Sequence, residues 1–239
     1  MKSVGSGFFV TGTDTGVGKT WVTCGLITAL RRKGLSVVGM KPIASGCERT
    51  SEGLCNDDAL RLQKASSCAV PYDCINPYAF EPPIAPHIAA RDAAVDIAFP
   101  LIRERVEWLA RQAEYVVVEG VGGWRVPLGR DGDVASLANM LNFPVLLVVG
   151  VRLGCINHAL LTSDAIHSSG LPLAGWVANR LDPDSARFED NLETLTNAIP
   201  APCLGVIPYL REETPGLLAT YLMINALIPD RTLVIPNGY

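Results

Sequence analysis

Six short apolar runs recur along the chain, with helical patterns between them. They are "FFVT" (8–11), "SVVGMK" (36–41), "YVVVEG" (115–120), "FPVLLVVG" (143–150), "LAGWVAN" (173–179) and "CLGVIP" (203–208). A strand that is apolar on successive residues is buried on both faces, and strands that alternate with helices pair in parallel. The alternation therefore predicts an α/β fold, a mostly parallel sheet with helices on both faces. Helices are expected at 19–33, 56–65, 100–112, 133–141, 157–170, 184–198 and 215–228. In the first, Val22, Leu26, Ile27 and Leu30 share a face and Gly34 supplies a stop. Asn56 suits the cap of the second. Residues 70–86, rich in proline and aromatics, are expected as an ordered loop. No repeat or linker divides the chain, so residues 1–228 are expected to form a single domain, with 229–239 as a tail.

In such a sheet, ligands bind beyond the carboxyl ends of the strands. The first strand runs into "GTDTGVGKT" (12–20), and a helix opens at its end. A phosphate-cradling loop ends in the same Gly-Lys-Thr, but with four residues between its first Gly and that triplet. Here Gly12 and Gly18 enclose five. Strand, glycines, Gly-Lys-Thr and helix remain in the right order, so a longer variant of the loop is expected. Gly16, Val17, Gly18, Lys19, Thr20 and Trp21 then form a nucleotide-binding stretch. Backbone N–H groups and the helix N-terminus would hold phosphate, with Lys19 on the β- and γ-phosphates and the Thr20 hydroxyl on Mg²⁺.

Three other strand ends carry polar residues. Lys41 follows the second strand, where it is either a charge for a transferring group or a surface lysine. Glu119 ends "YVVV" and precedes Gly120, Val121 and Gly122, as a metal-holding acid precedes glycines that admit a ligand to the backbone. Asp57 and Asp58 both open a helix, and spacing does not choose between them. Residues 154–157 begin a helix whose N–H groups could hold a carboxylate or simply be capped by Asn157.

Composition narrows the class. The net charge is −4 with no long run of either sign, which argues against nucleic acid or an anionic membrane as partner. The longest apolar run is too short to span a bilayer, and "MKSVGSGFFVTG" lacks the apolar core of a signal peptide. A cytoplasmic protein is expected. Its seven cysteines include no C-x-x-C pair and read as reduced thiols. His87, His158 and His167 show no metal-ligand spacing.

The motifs "GTDTGVGKT", "KPIASG", "NDDALRLQ", "NPYAF", "VVVEGVGGW", "LLVVGVRLGCINHALLT", "AGWVANR" and "IPAPCLGVIPYL" resemble, in this order, the dethiobiotin synthetases. The resemblance covers residues 8 to about 212, and the longer glycine loop is itself a family feature. It implies a homodimer of P-loop α/β subunits with shared active sites. It also implies conversion of 7,8-diaminopelargonate, CO₂ and ATP, with Mg²⁺, into dethiobiotin, ADP and phosphate. By this resemblance Thr20, Asp58 and Glu119 match the Mg²⁺ positions, and Lys19 and Lys41 the phosphate and carbamate lysines. Thr15 and Ser45 match substrate contacts. Gly154, Cys155, Ile156 and Asn157 match the segment that one subunit offers to the carboxylate of a substrate bound mainly by the other. Asn179 matches the adenine contact, with Arg180 beside it, and Pro208, Tyr209 and Leu210 the loop next to the base. Some members carry an acid where Gly16 stands, so no side-chain role transfers there. The ribose-side acid falls on Glu212 or Glu213 without a choice between them.

Two alternatives stand beside this reading, apart from a cobyrinate-type amidotransferase-linked synthetase, whose glutaminase domain would find little room in this length. One is a P-loop NTPase switch of the partition or metal-centre-assembly type. Such switches commonly carry a lysine near the start of the loop, where this chain has Thr13, Asp14 and Thr15. The other concerns the base. "NRLD" (179–182) approaches the N-K-x-D by which many GTPases read guanine, whereas "DPDS" reads as a turn with Asp182 or Asp184 capping the helix expected at 184. Arg180 in place of lysine weakens the guanine match, and ATP is expected as the preferred donor.

Overall fold

The computed structural model describes residues 5–51 and 53–228. The six apolar runs form six strands: β1 (Ser6–Gly12), β2 (Val37–Met40), β3 (Tyr115–Glu119), β4 (Val145–Val151), β5 (Leu173–Arg180) and β6 (Cys203–Ile207). They join in one sheet in the order β6-β5-β4-β1-β3-β2, with every neighbouring pair parallel. Most of their side chains are buried, with exceptions mainly at the strand ends, as continuous apolar strands require.

Helices cover both faces. On one lie α1 (Lys19–Arg32) and part of α2 (Asp57–Ala65), packing Ile27, Leu30 and Leu62 against Val10, Val117 and Val148. On the other lie α3 (Phe99–Leu109), α4 (Val134–Leu141), α5 (Cys155–Ser168) and α6 (Phe188–Ala198), with Ile102, Leu137, Ile166 and Leu195 against Phe9, Val118 and Leu147. Each such aliphatic side chain, fully buried, stabilises the fold by about 1.5–3 kcal/mol. Asn56 caps α2 by accepting from the Ala59 N–H, and Asp133 caps α4 by accepting from the Ser136 N–H. All seven cysteines are free thiols.

The chain leaves β1 for the β3–β2 side of the sheet and later crosses to the β4–β5–β6 side. The strand order therefore reverses at β1, and a crevice opens above its carboxyl end. Parallel register brings the polar strand ends to that one rim: Gly12 pairs with Val148, Glu119 with Val10, and Lys41 follows Met40, which pairs with Val118.

Three expectations need correction. Residues 70–86 are not only loop. They contain a helical turn at Tyr72–Ile75 and a strand, Tyr78–Phe80, parallel to Ile43–Ser45. Buried Ile75, Tyr78 and Phe80 anchor the segment to the core, and that burial overrides the proline signals. The helix expected at 184–198 begins only at Phe188, because Arg187 is left-handed (φ 59°) and Asp182 accepts from the Asp184 N–H at 2.9 Å to close a turn. Asp182 thus caps a turn and not the helix. The helix expected at 215–228 breaks into Pro215–Leu218 and two 3₁₀ turns, Ala219–Tyr221 and Asn225–Leu227. Between them Leu222 bridges to Gly205, and the Met223 N–H donates to the Leu204 carbonyl at 2.7 Å. Pairing with the open edge of β6 satisfies backbone groups that a helix would have turned inward. The tail at 229–239 lies outside the described residues.

Candidate active site

The loop after β1 is built around two glycines with left-handed backbone, Gly16 (φ 75°) and Gly18 (φ 86°). Gly18 is doubly constrained, since a Cβ there would lie 2.2 Å from Asn179 Nδ2. Asn179, buried at the end of β5, donates from Nδ2 to the Val17 carbonyl at 3.0 Å. It therefore braces the loop from behind. The first in-helix bond of α1 runs from the Val22 N–H to the Gly18 carbonyl. The N–H groups of Lys19, Thr20 and Trp21 precede it without intrahelical acceptors, at the positive end of the helix dipole.

Beside this loop lies a cleft of about 740 Å³. Its wall includes Thr15, Gly16, Gly18, Lys19, Thr20, Trp21, Lys41, Ser45, Asp58, Glu119, Val121 and Gly122, all expected from the sequence. It also includes Asp57 and Arg61 of α2 and the Pro83–Pro86 stretch. Four groups meet at its floor. Lys41 Nζ contacts Glu119 Oε1 and lies 3.1 Å from Asp58 Oδ2. Thr20 Oγ1 donates to Glu119 Oε1 at 2.8 Å. Glu119 is fully buried, and its Oε2 has no hydrogen-bond partner among the described residues. The Ser45 hydroxyl is likewise buried and unpartnered.

The charges act on one another. Burial would drive Lys41 toward its neutral form, but Glu119 and then Asp58 outweigh it and hold the ammonium above its ordinary pKa. Burial opposes ionisation of Asp58, but the charge and hydrogen bond of Lys41 prevail and lower its pKa. Among the described residues Lys19 has no such ion-pair partner. Its Nζ turns back to donate to the Asp14 carbonyl at 2.7 Å, and burial, assisted by the charge of Lys41, lowers its pKa to about 8.

Geometry separates residues that spacing left equivalent. Asp58 faces Lys41, whereas Asp57 turns along the helix to accept from Arg61. Glu213 is partly buried, with burial raising its pKa against the opposing charge of Arg61, whereas Glu212 is exposed. Other expected residues do not line the cleft. Val17 is buried behind the loop, and Gly120 packs near Phe9 and Val134. Arg180 folds onto its own loop, donating to the Asp182 and Pro183 carbonyls and lying 4.9 Å over the Phe188 ring. Pro208, Tyr209 and Leu210 follow β6 and lie outside the cleft wall. Gly154, Cys155, Ile156 and Asn157 open α5, which has no side-chain cap, and also lie outside that wall. Sequence reasoning missed Arg61, which no strand end announces. It also missed the pair of Arg152 with Asp14 at 2.6 Å, which ties the loop after β4 to the phosphate loop.

A phosphate ligand beside Lys19 would favour its protonated form and raise its pKa. ADP binding at about pH 9 should therefore take up a proton, and uptake should vanish near pH 6.5, where the amine is already charged. Calorimetric titrations with EDTA present, in buffers of different ionisation enthalpy, measure this directly. Equal heats in all buffers at the higher pH, or uptake that persists in Lys19→Met, would remove the assignment.

A family model described as an AAA domain matches residues 6–215. The ATP-dependent dethiobiotin synthetase BioD of Pseudomonas aeruginosa is 55% identical over 221 residues, spanning 92% of this chain and 97% of that protein. The protein of the same name from Cellvibrio japonicus is 50% identical over the same shares. Among solved structures, a ParA family ATPase from Chlorobium tepidum aligns with a TM-score of 0.56 at 15% identity, covering 93% of this chain and 98% of that one. The MinD cell division protein of Aquifex aeolicus gives 0.53 at 18% identity, covering 92% and 88%. At such identities these two likenesses establish the P-loop NTPase fold alone. No helix among the described residues is long and apolar enough to cross a membrane. Sharing half or more of its aligned residues with these synthetases along nearly their whole length, the chain belongs to the ATP-dependent dethiobiotin synthetase family.

Proposed function

We propose that this protein closes the ureido ring of dethiobiotin in the cytoplasm, using 7,8-diaminopelargonate, CO₂, ATP and Mg²⁺. The observation that carries the reading is the cluster at the cleft floor. A buried lysine, Lys41, lies between two carboxylates and beside the Gly-Lys-Thr threonine, where an anionic carbamate and a triphosphate could both be neutralised.

One amine of the substrate captures CO₂ as a carbamate. A carbamate oxygen attacks the γ-phosphorus, the bond to ADP breaks, and a mixed carbamic-phosphoric anhydride forms. The neighbouring amine then attacks the carbonyl carbon, the five-membered ring closes, and phosphate leaves. No enzyme nucleophile is required, so the protein's work is positioning and charge stabilisation. Lys19 and the free N–H groups at the start of α1 would hold the phosphates. Lys41 would face the carbamate and the transferring group, and Ser45 and Thr15 would orient the diamine. The unpartnered Ser45 hydroxyl has an unused hydrogen bond for that purpose.

Thr20, Asp58 and Glu119 fit a Mg²⁺ site, directly or through water. They offer only hard oxygen donors, and Glu119 Oε2 is a buried acceptor without a partner among the described residues. A bound Mg²⁺ would neutralise phosphate charge during transfer. The whole assignment is tested by mass spectrometry of products from protein, ATP, Mg²⁺, ¹³C-bicarbonate and the diamine. Labelled dethiobiotin should appear, and omission of any one component should abolish it. Nucleotide hydrolysis independent of diamine and bicarbonate, with no ring product, would favour the NTPase-switch reading.

A homodimer with shared sites is supported by the α5 segment. Its uncapped start lies outside the cleft of its own subunit, and the neighbouring Leu153 and Leu161 expose 102% and 61% of their surface. Such apolar exposure fits a contact between subunits. Asn157→Ala should weaken diamine binding and spare ATP. Mixing Asn157→Ala with Lys19→Ala subunits should restore activity at a fraction of sites, because each variant damages a different chain's share. No recovery after verified subunit exchange would rule out a shared site.

A further inference from the structure

Among the described residues, Arg61 is the one cation of the cleft wall that the reaction above leaves without a task. It lies one helical turn beyond Asp57, and both Nε and Nη2 donate to Asp57 Oδ2, at 2.9 and 2.7 Å. Its guanidinium rests over the ring of Trp21, 4.5 Å from the centroid. Trp21 is the third residue of α1, directly after the Gly-Lys-Thr triplet, so its backbone N–H belongs to the group that faces an anion. As a surface ion pair the contact contributes little: the two side chains are 40% and 77% exposed, and such i, i+4 pairs are worth about 0.2–0.5 kcal/mol. Helix stability alone therefore does not account for an arginine held over a tryptophan at the wall of a binding cleft.

Charge and position say what it can do. Among the described residues the cleft wall carries three cations, Lys19, Lys41 and Arg61, and three anions, Asp57, Asp58 and Glu119. Lys41 is committed to Glu119 and Asp58 at the floor. Arg61 sits one turn of α2 away from Asp58, on the Trp21 side. Its charge also opposes the upward push of burial on the carboxyl of Glu213, in the segment that follows β6. Arg61 thus lies in the cleft wall apart from the floor cluster that would hold the distal phosphates, set against the residue that follows the Gly-Lys-Thr triplet. We propose that Arg61, stacked on Trp21 and steered by Asp57, is a further nucleotide-binding residue that contacts the phosphate nearest the sugar. This rests on the nucleotide reading of the cleft given above. The planar fork of the guanidinium suits phosphate oxygens, and the aromatic face fixes its orientation while leaving N–H groups free.

The test is calorimetric binding of ADP and, by competition, AMP to wild-type, Arg61→Ala and Arg61→Lys proteins, with thermal unfolding of each. Loss of one charged hydrogen-bonding group predicts about a tenfold rise in Kd for ADP in Arg61→Ala, and a similar factor for AMP, whose only phosphate is the sugar-proximal one. Arg61→Lys should recover part of the loss at most. The unfolding temperature should stay within about 2 °C, and in turnover KM for ATP should rise about tenfold with kcat within about a factor of two. Unchanged ADP affinity in Arg61→Ala overturns the proposal, as does a loss for ADP with none for AMP, or a lowered unfolding temperature with intact binding. A wild-type protein that binds neither nucleotide would remove the reading of the cleft, and this inference with it. Wild-type binding matched by the variant removes this inference alone.

Discussion

The contact between Lys41 and Glu119 is the constraint from which the rest of the site follows. A fully buried carboxylate is costly in an apolar sheet unless a cation and hydrogen bonds meet it. Here the ammonium and the Thr20 hydroxyl reach the same oxygen, Oε1, from β2's end and from α1. Three segments distant in sequence are thereby fixed to one point: the start of α1, the turn after β2 and the end of β3. Asp58 adds a fourth through Lys41. The arrangement holds mutually compensating charges under the phosphate loop before any ligand arrives, which lowers the reorganisation needed when a polyanion binds.

Parallel register explains why these groups share one rim. Because β1 lies between β3 and β4, the carboxyl ends of the strands bring Glu119 and Lys41 to one side of the loop and Asn179 to the other. The loop is then held from both directions. Glu119 binds Thr20 in front, and Asn179 binds the Val17 carbonyl behind, with Gly18 leaving no room for a side chain between them. The longer loop spacing thus costs no order, because tertiary contacts supply it.

Much of this was legible in the sequence because it is written locally. The continuous apolar runs marked all six strands, the Gly-Lys-Thr triplet marked the start of α1, and Asn56 marked the start of α2. Strand ends then pointed to Lys41 and Glu119. Choices between adjacent residues were not legible from spacing. Asp57 and Asp58 differ by about 100° around the helix, so only one faces Lys41, and the orientation of α2 in the assembled fold decides which. The pairing of Tyr78–Phe80 with Ile43–Ser45 and the bridge from Leu222 to Gly205 join segments far apart in the chain, and short-range pattern cannot register them. The partnership of Arg61 with Trp21 is likewise long-range and has no strand end or glycine to announce it. The "NRLD" string shows the opposite hazard. Its local likeness to a base-reading motif gives no hint that Arg180 and Asp182 close a turn of their own.

The claim that a compensated buried charge pair organises the site is tested most directly by a double-mutant cycle on unfolding free energy, measured in urea without nucleotide. The variants are Lys41→Met, Glu119→Gln and the two combined. Leaving one buried charge without its partner is expected to cost about 3 kcal/mol, and the double variant to cost clearly less than the sum, with a coupling of about 2 kcal/mol or more. Costs that add to within about 0.5 kcal/mol would show that Lys41 and Glu119 are neighbours without interdependence, and would contradict the account.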